Sequence, residues 1–447
     1  MVKVISQDTF DAVVAENMDE FDMSKSEAIE EAKEQFLSQG VDLSNIVIFE
    51  GEGNELKEMI ESLESLQLDF DDEKAKSQVL TFKSFLDKGL AEKTLATSCG
   101  GYNALVQLLS NASSSKEKIL HAMTSLVDGN PDPLTEEGLE SVKQAIHTGD
   151  TAIRKAGLDF LLNVCVRHEY NRQNVIRSGI LNEAGKFFND APIEVARLWQ
   201  ALVQDDDVRV PYGKAHDNAR QIVEDYDALT LLNNKLKDLT EPKDISLLLC
   251  CLSSLSVRNE YCKKVADDGG LNIILKVLVD PDQDKNVIKE SLKLVKTLAG
   301  NDDVKRDIGN TKGIPFIVNS ISKNLKNKSI CQVGCDSLTA LSLRSPENAK
   351  QIVDCGGDGV IIEIMKAHKS IAEIVIAASY AIRNIVSRSR EYCNNFIELN
   401  VEDLLNEAQQ RYKSDINSVA ALKAALRDLG LEVKLEEQWK GVKGSIE

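Results

Sequence analysis

The side chains best placed to do chemistry are a run of three acids, Asp205, Asp206 and Asp207, followed closely by Arg209, Pro211, Tyr212, His216 and Asp217. Carboxylates and an imidazole can bind metal ions, yet this spacing matches neither an EF-hand loop nor the paired-histidine zinc helix. The residues read instead as a structural loop in which Arg209 pairs with the acids and holds it shut. Cys331 and Cys335 stand one helical turn apart and Cys250 adjoins Cys251. A zinc site would need a second ligand pair at suitable spacing, and none is present. Cys262 and Cys393 occupy equivalent places in recurring strings and read as small core residues. The glycines of Cys355-Gly356-Gly357-Asp358-Gly359 fall at a repeat turn, whose geometry explains them without a phosphate. No GxSxG or P-loop string occurs, and the five histidines sit in unrelated contexts. The expectation is no catalytic residue, no cofactor and no metal.

Two other sets of residues could grip a partner. Asparagine amides both donate to and accept from an extended peptide backbone. At one position of each repeat the chain reads Ser125, Asn163, Ala201, Ser254, Thr297, Ala340 and Asn384, so only Asn163 and Asn384 qualify. A few residues further on stand Arg167, Arg258, Arg344 and Arg388. A step of four keeps a residue on the same helix face, which predicts that these arginines line the concave side of the fold. Each could read acidic residues of a partner, or neutralise its helix C-terminus and pair with Glu169, Glu260, Glu347 or Glu391.

The elements that must position these residues repeat along the chain. RHEYNRQNVIRSG at 167–179, RNEYCKKVADDGG at 258–270, RSPENAKQIVDCGG at 344–357 and RSREYCNNFIELN at 388–400 are variants of one turn. Weaker versions end at Gly101, Gly138, Ala228 and Gly313. The spacing of these anchors averages about 43 residues, the armadillo and HEAT range and too long for ankyrin or tetratricopeptide units. After each turn the apolar residues follow helical spacing, as in Leu271, Ile274, Leu275 and Leu278. The 204–217 stretch interrupts this pattern with Asp205–Asp207 and Pro211, so an inserted loop is expected there.

Charge separates the N-terminus from the rest. The 447 residues carry a net −19, and residues 1–76 hold 21 acids against six lysines. The remaining body is therefore nearly neutral, which disfavours a general nucleic-acid binder needing a basic face. Within 1–76, Asp8 or Thr9 is expected to cap a helix carrying Phe10, Val13, Val14 and Phe21. Ser24 with Glu27 reads as a capping box for a helix ending at Gly40. Leu56, Met59, Ile60, Leu63 and Leu66 form a third amphipathic stretch beyond a linker near 50–54. The high charge predicts little core of its own for this segment. No apolar run approaches the length of a membrane span, and no signal peptide is visible. Nine scattered cysteines favour reduced thiols, hence an expected cytoplasmic setting, with the nucleus as the second expected location.

SQDTFDAVVAENMDEFDM at 6–23, EQFLSQGVDLSNIV at 34–47, DDDVRVPYGKAHDNA at 205–219 and AALKAALRDLGLEVKLEEQW at 420–439 resemble the armadillo repeat-containing protein 6 family along essentially the whole chain. The 205–219 string is the most specific part, because ordinary armadillo repeats lack it. The resemblance implies an armadillo solenoid without known catalytic activity and transfers no site residues. The paired tryptophan array of nuclear-import adaptors is missing, since the tryptophans are Trp199 and Trp439 alone.

The expected architecture is all-α: an acidic helical segment over 1–76, then an armadillo-type right-handed α-solenoid over 77–447. The expected function is a non-enzymatic scaffold that binds a partner protein or peptide, one with an acidic segment among the candidates, through the concave groove and the inserted loop. No nucleic acid and no membrane is expected as a partner. The alternative is a folding or assembly helper that holds a client. The N-terminal segment is expected either to contact the groove as a regulatory tail or to pack as a cap on the first repeat.

Overall fold

The computed structural model describes residues 3–21, 23–43, 46, 53–66, 70–280 and 282–432. Trp439 with the rest of the 433–439 stretch, and the 50–52 part of the expected linker, lie outside the described residues. Two compact units make up the chain, Met1–Asn218 and Ala219–Glu447. The division falls inside the helix Ala215–Tyr226, shortly after the inserted loop.

In both units most repeats hold three helices: a short first helix, then a second and a third. In the first unit the third helices are Asp72–Leu86, Lys116–Val127, Thr151–Val164 and Pro192–Leu202, and each packs on the next. In the second they are Pro242–Leu255, Lys285–Leu298, Lys328–Ser342, Ala372–Val386 and Ile416–Leu429, stacked likewise. Their starts are chemically marked. Asp150, Asp284 and Asn327 accept backbone N–H groups of the first turn, and Pro192 and Pro242 sit where a missing N–H costs nothing. Their inner faces are sealed, with Leu292, Leu294, Val295 and Leu298 inaccessible to solvent in one helix alone. A fully buried Leu or Val contributes about 1.5–3 kcal/mol, and a single repeat could not bury that face by itself.

The turn between first and second helices explains the paired glycines. Gly269 ends the first helix at φ +94°, in the left-handed region. Gly270 then begins the second helix so close to the chain that a Cβ would lie 2.7 Å from the Val265 carbonyl oxygen. The anchors at Gly101, Ala228, Gly313 and Gly357 are likewise first residues of second helices. Gly138 is different. It lies inside the helix Glu136–Thr148, and residues 128–135 replace the first helix of that repeat with a loop.

The acidic N-terminus does have a core of its own, contrary to expectation. Phe10, Val14, Ala28, Ile29, Ala32, Phe36, Val41 and Ile46 are buried together. The helices Gln7–Phe21 and Lys25–Ser38 pair through Phe10 and Phe36, whose rings lie 5.9 Å apart, and two-residue strands at Lys3–Val4 and Val41–Asp42 pair in parallel. The charges occupy the outer faces of amphipathic helices, so a high net charge leaves the inner stripe apolar. Ser6, and not Asp8 or Thr9, caps the first helix, its Oγ accepting the Thr9 N–H at 3.2 Å. The Ser24–Glu27 capping box forms as expected. The helix Gly53–Ser65 belongs elsewhere: it packs on Asp72–Leu86 and Gly101–Asn111, burying Leu56, Ile60 and Leu63.

Candidate functional site

The inserted loop occupies 203–214 between the third helix Pro192–Leu202 and the helix Ala215–Tyr226. His216 and Asp217, expected inside the loop, lie instead in the first turn of that helix. The loop is closed at its base by a buried ionic network on the helix Glu169–Arg177. Arg172 is 1% exposed. Its Nε donates to the Cys165 carbonyl and its Nη1 to the Gln204 carbonyl, both at 3.0 Å, and it pairs with Glu169 and Asp206. Glu169 is also buried, and its carboxylate accepts the Lys214 N–H and the Gln173 amide, each at 2.9 Å. One side chain thus receives the far end of the loop while its own N–H donates to Asp207 at 2.8 Å, near the loop's start.

Asp207 is the second hub. It accepts the Arg209 Nε at 2.9 Å, Nη2 at 3.0 Å and backbone N–H at 3.1 Å. These bonds from Arg209, with the Glu169 N–H, outweigh burial and hold the carboxyl far below the ordinary carboxylate range. Of the three acids it is Asp207 that pairs with Arg209. It also donates to the Arg167 carbonyl at 3.2 Å and lies 3.7 Å from Asp132. Asp132 in turn meets His168 Nε2 at 2.8 Å. His168 Nδ1 accepts the Asn171 N–H, so both ring nitrogens have partners within the fold.

The tip of the loop is unlike its base. Val208 is 99% exposed and Tyr212 89% exposed, with Pro211 exposed beside them. Tyr170, next to Glu169 in sequence, is 65% exposed. A charged, solvent-excluded base thus carries an apolar tip into water.

Asn163 and Asn384 do sit on third helices, but their amides are used internally. Asn163 Nδ2 donates to the Asp159 carbonyl one turn back, and Asn384 Nδ2 donates to the Thr339 carbonyl of the neighbouring third helix. The arginine row is not on a helix face. The third helices end at Val164, Leu255, Ser342 and Val386, so Arg167, Arg258, Arg344 and Arg388 lie in the turns beyond them. Arg167 and Arg344 even take positive φ, +49° and +58°. The four-residue step keeps a face only while the helix continues, and here it has stopped. Of the expected glutamate partners one is met: Arg258 pairs with Glu260 at 3.5 Å and with Glu224 at 3.8 Å, while Glu169 goes to Arg172.

The third helices carry a polar ladder between repeats. Lys155 pairs with Glu194, Arg197 with Asp159, Lys296 with Asp336 and Arg383 with Asp428, and Ser253 bonds Thr297 at 2.9 Å. Asn171 and Asn348 are further joints that the sequence pattern did not single out. Each amide donates to the carbonyl seven residues back, at the end of a third helix, and to a carbonyl of the preceding repeat. Their signal was present, since each stands four residues after a turn arginine. Cys262 and Cys393 are buried, and burial lifts the Cys262 thiol to about 11. Among the described residues no group of three His, Cys, Asp or Glu side chains could hold a metal, and no helix is long and apolar enough to cross a membrane.

Helical triplets stacked through their third helices define an all-α solenoid of the armadillo type. At the level of fold alone, the chain is similar to the crystal structure of an engineered protein, with a TM-score of 0.58 at 17% identity, covering 84% of this chain and 99% of that one. The family model described as ARMC6 matches residues 54–446, and the Armadillo repeat-containing protein 6 N-terminal domain matches residues 2–58. Curated relatives agree: Armadillo repeat-containing protein 6 of Homo sapiens is 33% identical over 99% of this chain and 94% of its own length, and the Drosophila melanogaster homolog is 34% identical over 80% of this chain and 81% of its own. The chain belongs to the armadillo repeat-containing protein 6 family.

Proposed function

We propose that the protein is a non-enzymatic scaffold that binds a partner protein or peptide through its third-helix face and its inserted loop. The observation that carries this reading is the contrast within 203–214, where buried charged groups fix a loop whose Val208 and Tyr212 project into solvent. Rigid aromatic and aliphatic anchors lose little conformational entropy on binding and supply the core of a contact. The polar ladder along the third helices supports a scaffold over a client-holding helper, which needs broad apolar surface. A protein of net −19 favours a protein partner over nucleic acid or an anionic membrane. The four turn arginines Arg167, Arg258, Arg344 and Arg388 are assigned a lesser part in meeting acidic residues, and Asn163 and Asn384, whose amide N–H groups already donate within the fold, a lesser part towards a peptide backbone.

The test is quantitative affinity purification with the full-length protein and its Val208→Ser/Tyr212→Ser variant. Both side chains are exposed, so the variant keeps the wild-type melting temperature and loses at least one specific partner. A variant that retains every partner of the wild type overturns the reading.

A further inference from the structure

The third helix Lys285–Leu298 differs from all its counterparts in charge. It carries Lys285, Lys289, Lys293 and Lys296 against a single acid, Glu290, a net +3. The other third helices each carry between 0 and +1. Steps of four, four and three place the four lysines on one stripe, about 16 Å long at the helical rise. The stripe lies at the seam of three third helices. Lys293 Nζ meets Cys250 Sγ of the preceding one at 3.7 Å, and Lys296 pairs with Asp336 of the following one at 2.8 Å.

The carboxylates available do not match the cations. Glu290 is only 7% exposed and lies 2.8 Å from Lys289 and 3.9 Å from Lys293, so one buried acid faces two lysines. Asp336 answers Lys296, and Lys285 is exposed with no ion pair among the described residues. Lys293 and Lys296 keep nearly half of their side-chain surface in water. Partly exposed pairs of this kind are weak and exchange readily for better-placed carboxylates.

We propose that this lysine stripe is a docking site for a short Asp/Glu-rich segment of a partner protein, on the reading that the third-helix face is a binding surface. Charge complementarity selects the occupant. The stripe is the local exception in a protein of net −19, so it attracts a compact anion whose charges end with it. A nucleic acid duplex carries a charge every ~1.7 Å and continues past the stripe onto flanking third helices of net zero charge, which offer it no matching excess of cations and favour a short peptide.

The experiment titrates full-length protein with a fluorescein-labelled oligoglutamate peptide, read by fluorescence anisotropy at low and physiological salt. Saturable binding that weakens with salt is expected. Changing Lys285, Lys289, Lys293 and Lys296 together to Gln, which keeps helix propensity, is expected to weaken it about tenfold or more. The corresponding four Lys→Arg changes restore it, and Lys350→Gln/Lys366→Gln, at exposed lysines of a later repeat, leaves it unchanged, which separates this stripe from general surface charge. If the four-glutamine variant melts early, Lys285→Gln/Lys293→Gln is used, with a smaller loss expected in the same direction. Equal binding by wild type and the folded glutamine variants overturns the proposal. So does a single-stranded oligonucleotide of equal charge that binds more tightly than the peptide at the same lysines.

Discussion

Replacing Arg172 by methionine removes the one buried cation at the base of the inserted loop. The change deletes donors to the Cys165 and Gln204 carbonyls and the pairings with Glu169 and Asp206. Breaking a buried ion pair by removing one partner costs about 3–5 kcal/mol, because the other charge is stranded. The local geometry places this case near the lower end. Glu169 keeps the Lys214 N–H and the Gln173 amide, and Asp206, 42% exposed on its side chain, rehydrates. A loss of about 3 kcal/mol is therefore expected for Arg172→Met. Adding Glu169→Gln removes the stranded charge and recovers about 1–2 kcal/mol of it. Repeat proteins open locally, so the assay is native-state hydrogen exchange across 204–218 beside urea unfolding. Faster exchange is expected in the loop and at the N-terminus of the helix Ala215–Tyr226, with the second unit little changed. An Arg172→Met protein within about 1 kcal/mol of wild type with unaltered loop exchange refutes the reasoning, as does a double variant no more stable than the single one.

Two further outcomes test the joints between repeats. Asp72 accepts the Ser115 hydroxyl at 2.6 Å and the N–H groups of Ser113, Ser114 and Ser115; burial raises its pKa, but these bonds win and hold it at about 2 against an ordinary 3.8. A lowered carboxylate pKa stabilises fully above the unfolded value and loses its effect as pH falls towards the folded one. The stability gap between wild type and Asp72→Asn is therefore expected to be full at neutral pH and to vanish between pH 3.8 and about 2, followed by circular dichroism through acid titration. Asn348→Ala leaves the Leu341 and Lys305 carbonyls without their buried donor and is expected to cost about 1–3 kcal/mol in urea unfolding, whereas an unchanged midpoint removes the joint from the account.

Much of this architecture can be read along the chain. The period of about 43 residues, the helical apolar spacing and the paired glycines are local or nearest-neighbour properties, so they announce helices, turns and stacking in advance. The inserted loop is equally visible, because three adjacent acids and Pro211 cannot continue a buried helix. The pairing of Arg209 with this acid run is also legible, since the partner is two residues away. Gly138 shows the limit even for turns: a glycine marks either a bend or a close approach, and only its neighbour Tyr102 reveals which.

What the tertiary structure decided is who meets whom across repeats. The four turn arginines share a sequence position but not a helix face, because the third helices stop before reaching them. Glu169 looked like the partner of Arg167, yet it turns inward to Arg172 and the loop residue Lys214, 45 positions further on. The lysines of 285–296 look like an ordinary solvated face until the neighbouring third helices supply Cys250 and Asp336 and no excess of acid. Sequence fixes periodicity because helix geometry is set within a few residues. Contacts between side chains about 40 residues apart depend on how adjacent repeats stack, and that packing exists only in the folded chain.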